Sequence, residues 1–522
     1  MSHEKRIAGA ATVISAATSL SRVLGYARDA AIAYVFGAGL QADAFFMAFR
    51  ISNLLRRLVG EGALTSSFVP IFTEERNSRS AESTRELASS VFTLFAVILT
   101  VITALGMLFS EEIVRVMAPG FAADPEKFAL TVSLTRFLFP YMVFVGLMAI
   151  AMGVLNSFRH FAAPALAPVF FNLAIIASIF AVAPLLVSPV YALVIGVLAG
   201  GVLQLFIQVP FLGKLGMLPK LSFRFSDPAI KKIFVLMGPA TFGIGIYQLN
   251  IFVTMWFSSR LPEGAVSYLY YAGRLMELPL GIFAVSVTTA VLPSLSEQVA
   301  KKEWDGVKNS LSFAVRLVNF VTIPATIGLI VLSVPIVDVL FRRGEFSSLD
   351  AAGTSSALYW YALGLVPVAV SRILTSVFYS MKDTATPVWV AFCAFIINAA
   401  FCAVLVGPMG HNGLALATTL ASAVNCAILF VILRRKLGRF GGKEVALSGL
   451  KSLGASLAMG ILVSVIVLQS GAGLSGDAGK TVLVAVCLAV GLVTYITASR
   501  LLGITELAFL KGFFLKRGKK EA

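Results

Sequence analysis

The stretch ASSVFTLFAVILTVITALGMLF, residues 88–109, runs 22 residues without a charge. As a helix rising 1.5 Å per residue it reaches about 33 Å, enough to cross the roughly 30 Å hydrocarbon core of a bilayer. Comparable apolar runs recur along the whole chain. Between polar breaks, fourteen can be marked out: 8–34, 42–72, 88–109, 131–156, 164–185, 190–213, 233–258, 266–297, 309–333, 351–380, 385–407, 413–433, 452–470 and 481–502. The 522 residues are 58% apolar and 13% charged, about half the roughly 25% charge of a soluble domain. So little polar surface could not cover so apolar a core. The expected fold is an all-α polytopic membrane protein with fourteen transmembrane helices.

Three His and four Cys, with no CxxC spacing, exclude disulfide and zinc arithmetic. No metal site and no cofactor are expected. Loops of at most about 20 residues between apolar runs of spanning length leave no room for a soluble catalytic domain, so an enzyme is not expected either. The first span carries Arg22, Arg28 and Asp29 and lacks a clear small-residue cleavage site, which reads as a retained helix, not a signal peptide.

The net charge of +16 is a topology signal. With an even number of spans both ends share a side; loops and tails on that side, counting Arg500 at the end of the last span with the tail, hold 27 Lys and Arg, and the opposite loops hold 6. The positive-inside rule then places both termini in the cytoplasm. The basic runs RRKLGRFGGK (434–443) and KRGKK (516–520) fall on that side, where they can also touch anionic head groups. Nucleic acid is not an expected partner.

The chain reads as an internal duplication. VLNSFRHFAAP (154–164) and VFYSMKDTATP (377–387) share Val, Ser, a basic residue, Ala and Pro at fixed offsets, 223 positions apart, and Pro70 and Pro293 repeat that offset. FFMAFR, ending at Arg50, parallels LYYAGR, ending at Arg274, with one residue of drift. Six spans per copy give parallel lobes, expected at 1–222 and 223–440 and related by a pseudo-two-fold axis along the membrane normal, with spans thirteen and fourteen and a basic tail left over at 441–522. Substrates of such transporters bind where the repeats meet.

Apart from Arg500 at the very end of the last span, nine basic residues fall inside spans, all of them arginines: Arg22, Arg28, Arg50, Arg56, Arg57, Arg136, Arg274, Arg316 and Arg372. Each costs roughly 2.5–3.5 kcal/mol near a bilayer centre on insertion scales, so the set cannot simply face lipid. Embedded acids are fewer, chiefly Asp29, Glu61 and Glu277, with Asp43 near a membrane surface. A net cationic cavity follows. Helical period aligns Arg50, Arg57 and Glu61, with Asn53 nearby, and turns Arg56 about 100° away. Guanidinium groups grip phosphate or carboxylate bidentately and stay ionised when poorly hydrated, so the favoured cargo is anionic. Arg136, Arg316 and Arg372 stand alone and read as snorkelling side chains or helix-to-helix ion pairs.

Residues 21–72, SRVLGYARDAAIAYVFGAGLQADAFFMAFRISNLLRRLVGEGALTSSFVPIF, closely resemble the amino-terminal signature of the MurJ (MviN) family; YYAGRLMELPLG (270–281) and LPSLS (292–296) resemble its eighth span. The resemblance implies a flippase for lipid II, the undecaprenyl-pyrophosphate-linked peptidoglycan precursor, within the multidrug/oligosaccharidyl-lipid/polysaccharide exporter superfamily. It further implies a bacterial inner membrane and a protein expected to work as a monomer near the cell-wall synthesis proteins. Carried over by position, the family's cavity arginines fall on Arg22, Arg28, Arg56 and Arg274, and its acidic positions on Asp29, Asp43 and Glu61. Arg50 and Asn53 complete the expected set. The family places Arg56 in the cavity where helical phase favours Arg57, and the family's choice is followed. The resemblance also implies that spans thirteen and fourteen form an apolar groove for the polyprenyl tail. Some members are thought to hold sodium with carboxylates on the seventh and eleventh spans; this chain offers Gln248, Asn250, Asn398, Thr418 and Thr419 there, so no sodium site is expected. The alternative cargo is another polyprenyl-linked oligosaccharide or a drug.

Overall fold

A computed structural model describes residues 3–56, 63–281, 285–470 and 476–509, and they form helices without a strand. The first half comprises α1 (His3–Phe36), α2 (Leu40–Arg56), α3 (Ala63–Ser78), α4 (Ala81–Leu108), α5 (Ser110–Met117), α6 (Pro125–Leu138), α7 (Tyr141–Ser157), α8 (Ala162–Ala181), α9 (Tyr191–Phe206), α10 (Val209–Lys214) and α11 (Pro228–Ser258). The second comprises α12 (Ala265–Pro279), α13 (Val285–Ala300), α14 (Trp304–Val331), α15 (Ser333–Leu340), α16 (Ser348–Ala362), α17 (Leu365–Ser380), α18 (Ala385–Met409), α19 (His411–Leu437), α20 (Gly442–Ser470) and α21 (Asp477–Leu501).

Helix starts follow local chemistry. Asp124 caps α6 by accepting from the N–H groups of Glu126 and Lys127, both at 3.1 Å, with Pro125 at the first helical position. Ser347 and Asp350 form a reciprocal capping box at the head of α16. Asp227 caps α11 through the Ala229 N–H and also takes a two-pronged grip from Arg79 at 2.5 and 2.9 Å. The Arg79 guanidinium holds the Asp227 carboxyl below its ordinary range, against the opposing effect of burial.

Among the described residues, nine helical segments are long and apolar enough to cross a membrane, or ten when α16 and α17, bent by 43°, count as one. They match the expected spans at 88–109, 131–156, 164–185, 190–213, 309–333, 351–380, 385–407, 413–433, 452–470 and 481–502. The described residues of the remaining expected spans are helical too, as α1, α2 with α3, α11, and α12 with α13. Spans one, two and eight contain most of the embedded charges, the property that lowers their hydropathy.

The two copies of the repeated motif fold into the same turn. Arg159 and Lys382, its basic residues, both adopt φ 61°. His160 N–H donates to the Leu155 carbonyl and Asp383 N–H to the Phe378 carbonyl, each at 2.9 Å. The matched spacing read from sequence is thus a matched left-handed helix terminus.

By packing, the chain divides into one compact unit of Met1–Ser267 with Gly344–Phe346, and another of Tyr268–Arg343 with Ser347–Ala522. α11 belongs to the first. Phe68, Phe72, Leu99 and Ile150 lie in a buried cluster of the first unit. The second has one cluster around Leu311, Ile373 and Phe378 and another in which Phe320, Met459 and Tyr495 tie α14 to α20 and α21.

Candidate functional site

α1 carries the first two expected arginines. Arg28 is buried, and its guanidinium folds back onto the next residue: Nε and Nη2 both donate to Asp29 Oδ1, at 3.0 and 2.6 Å. Asp29 is wholly buried. A lone charge at such a position would be expensive, and the ion pair removes most of that cost. Arg28 Nη1 also donates to Asn172 Oδ1 on α8, at 3.2 Å. Arg22, nearly two turns earlier, is exposed.

On α2, Arg50 and Asn53 are half-buried, and Asn53 donates to its own helix at the Phe49 carbonyl. Arg56 ends α2. The Arg56 side chain, Arg57 and Glu61 lie outside what is described, so the choice between Arg56 and Arg57 is made on the resemblance alone. In the second unit, Arg274 on α12 is half-buried and its Nη1 donates to Glu277 Oε2 at 2.9 Å, one turn along the same helix.

Asp43 occupies a different setting. Its Oδ2 accepts from Lys127 Nζ at 2.7 Å and from the Gly264 N–H at 2.9 Å; its Oδ1 accepts from the Ser267 N–H at 2.9 Å and hydroxyl at 2.7 Å. A side chain of α2 therefore caps the first turn of α12, satisfying N–H groups that have no partner within that helix. The converse contact is also made: Glu263, just before α12, accepts from the Leu40 N–H at the head of α2, at 2.6 Å. Asp43 thus sits in a clasp between helix ends, apart from the Arg28 ion pair.

Sequence reading did not single out Lys127, Asn172, Glu263 or Ser267. Asn172 had one signal available, a strong amide in an otherwise apolar run. Arg136 donates through Nε to the Met107 carbonyl and the Ser110 hydroxyl, and Arg316 pairs with Glu506 at 3.3 Å, in line with the bland reading of both. Asn250, Thr418 and Thr419 donate to backbone carbonyls. Among the described residues, no group of three or more His, Cys, Asp or Glu could hold a metal ion.

Comparison with known proteins decides what this arrangement belongs to. A family model described as "Lipid II flippase MurJ" matches residues 32–485. The chain belongs to the MurJ family. It is 37% identical over 433 residues to the probable lipid II flippase MurJ of Vibrio cholerae, covering 82% of each chain. It is 38% identical over 427 residues to the lipid II flippase MurJ of Burkholderia cenocepacia, covering 81% of this chain and 83% of that one. A solved structure titled "Lipid II flippase MurJ, inward closed conformation" aligns with TM-score 0.79 and 29% identity over 94% of this chain and 99% of the other. An inward-facing multidrug transporter of the MATE family in the MOP superfamily aligns with TM-score 0.66 and 16% identity, over 82% and 98%; that likeness shows a shared fold. MurJ membership makes the chain a multi-pass membrane transporter, not an enzyme.

Proposed function

We propose that this chain flips lipid II from the cytoplasmic to the periplasmic leaflet of the bacterial inner membrane, with Arg22, Arg28, Arg56 and Arg274 as the groups that receive its pyrophosphate. The observation that carries the reading is the identity, spread over four fifths of both chains, to proteins named as lipid II flippases. The buried Arg28–Asp29 pair adds a physical argument. Arg28 meets neutral Asn172 on one edge and Asp29 on the other, so α8 brings no negative charge against an arriving diphosphate. An anion shared among several guanidinium groups supplies the differential affinity that a ligand needs to shift a conformational equilibrium. The polyprenyl chain stays in hydrocarbon, and an apolar groove of about 620 Å³ between α14 and α20, with Ile323, Ile327, Leu450 and Leu453 on its wall, suits such a chain. Asp29 and Glu61 orient the arginines, with Arg50 and Asn53 in supporting positions, and Asp43 holds helix ends together.

The finer architecture belongs to the same proposal: fourteen spans, both termini cytoplasmic, lobes at 1–222 and 223–440 related by a pseudo-two-fold axis, and an appended 441–522. Contacts between repeat-related positions support the axis. Leu40 meets Glu263 at the offset of 223, and Asp43 meets Ser267 at 224. The Gly120 N–H donates to the Ser259 hydroxyl, and Glu345, next to Gly344, donates to the Tyr34 carbonyl; Gly120 and Gly344 are themselves 224 apart. The chain is proposed to work as a monomer near cell-wall synthesis proteins.

The test is complementation in a strain depleted of its own flippase. Arg28→Ala and Arg274→Ala are each expected to insert normally and fail to support growth, with lipid II accumulating in the cytoplasmic leaflet. Growth supported by both variants would overturn the proposed role of the arginines.

A further inference from the structure

The twenty residues of α8 read AAPALAPVFFNLAIIASIFA, with Asn172 and Ser178 its only polar side chains. Ser178 donates its hydroxyl to the Ala192 carbonyl at 2.6 Å. Asn172, 5% exposed, turns the other way. Its Oδ1 accepts from Arg28 Nη1 at 3.2 Å, and its Nδ2 donates to the Ser21 carbonyl at 3.0 Å. A guanidinium only donates and a backbone carbonyl only accepts, so these partners fix which end of the amide points where.

The guanidinium of Arg28 is therefore held on two edges by different helices, Asp29 of α1 taking Nε and Nη2, and Asn172 of α8 taking Nη1. The bond to Ser21 ties the backbone beside Arg22 to the same amide. We propose that Asn172 is a positioning residue for the diphosphate site, and that its neutrality is the property that matters. This rests on the reading of Arg28 as a pyrophosphate-binding group. Arg28 and Asp29 together carry no net charge. A carboxylate at position 172 would make the trio net negative where an anion must arrive, and in a poorly hydrated site that repulsion is weakly screened. An apolar side chain would make neither bond.

The experiment uses the full chain in nanodiscs, titrated with undecaprenyl pyrophosphate, with thermal unfolding followed in parallel. Asn172→Asp is expected to weaken binding at least about fivefold, equivalent to ~1 kcal/mol; a smaller loss overturns the proposal. Adding Asp29→Asn to Asn172→Asp moves the carboxylate to the other side of Arg28 and restores the charge of the trio. That double variant is expected to bind within about fivefold of the parent. A double variant outside that range overturns the proposal, because a residue that only packs α1 against α8 gains nothing from the second change. If Asn172→Asp cannot be recovered, the double variant decides by the same threshold. Arg28→Ala separates the two readings: unchanged binding there defeats the pyrophosphate role of Arg28, whereas lost binding there with parent-like Asn172→Asp defeats only the role of Asn172.

Discussion

The Asp43 carboxylate receives both the backbone N–H and the hydroxyl of Ser267, 224 residues later in the chain, at 2.9 and 2.7 Å. The same carboxylate pairs with Lys127, and both side chains are nearly inaccessible. Breaking a buried pair from one side leaves an uncompensated charge and costs about 3–5 kcal/mol. Asp43→Ala is expected to lower the unfolding free energy in detergent by that order, read as a lowered unfolding midpoint. Combining Asp43→Asn with Lys127→Met, which removes both charges, should recover part of the loss. A parent-like unfolding midpoint for Asp43→Ala would show that the clasp contributes nothing to stability.

A second prediction concerns Gly344, at φ 60°, where an added Cβ would lie 2.2 Å from the Tyr34 carbonyl oxygen. Gly438 has φ 79° and nothing within 4 Å of the same position. The left-handed conformation alone costs a side chain about 1–2 kcal/mol. Gly438→Ala should lose about that much, whereas Gly344→Ala must also push α1 away and should lose clearly more. Equal losses, measured as unfolding midpoints of the two purified variants, would contradict the tight approach at Gly344.

Much of the fold could be read before any coordinates, because a bilayer demands long apolar helices and the sequence has few other ways to satisfy it. The duplicated motif was legible for a similar reason: Arg159 and Lys382 stand at a helix terminus whose shape depends on local residues. The embedded arginines were legible as a set, since their cost in hydrocarbon demands an explanation. Their partners were not. Arg316 read as a snorkelling or paired side chain with no partner named, and it meets Glu506, which lies beyond α21 after a reversal at Gly503 with φ 62°. Asn172 pairs with a residue 144 positions away, and no spacing rule links α8 to α1. Helical phase places residues on a face of their own helix and is silent about the neighbour that face meets.

The turn between α17 and α18 supplies a prediction in pH. Burial tends to raise the Asp383 carboxyl, but the Lys436 ammonium together with the Thr386 hydroxyl and N–H outweighs it and holds the group at about 2, below its ordinary 3.8. A depressed carboxyl contributes stability above its unfolded value and loses it as pH falls through its folded value. The stability gap between the parent and Asp383→Asn should therefore be constant above about pH 5, and shrink progressively from there toward pH 2. Because Lys436 is 45% exposed, added salt should narrow the gap at neutral pH. A gap that widens on acidification would give the pairing the wrong sign.

The last prediction separates a stabilising contact from a merely tolerated one. Glu506 is buried against Arg316, while Phe509 packs edge-on against Phe313 with ring centroids 4.8 Å apart, so one short segment after α21 is pinned to α14 by a charge and a ring. Beside them on α14, the Ser312 hydroxyl and Asn319 Oδ1 find no hydrogen-bond partner among the described residues. Glu506→Ala leaves Arg316 without its counter-charge and should destabilise by about 3–5 kcal/mol, whereas replacing both with Met exchanges an imperfect ion pair for hydrocarbon and should be neutral or stabilising. Unfolding midpoints of the two variants in the same detergent provide the comparison. A double Met variant as unstable as Glu506→Ala would mean that the pair itself, and not the penalty for breaking it, holds the C-terminal segment in place.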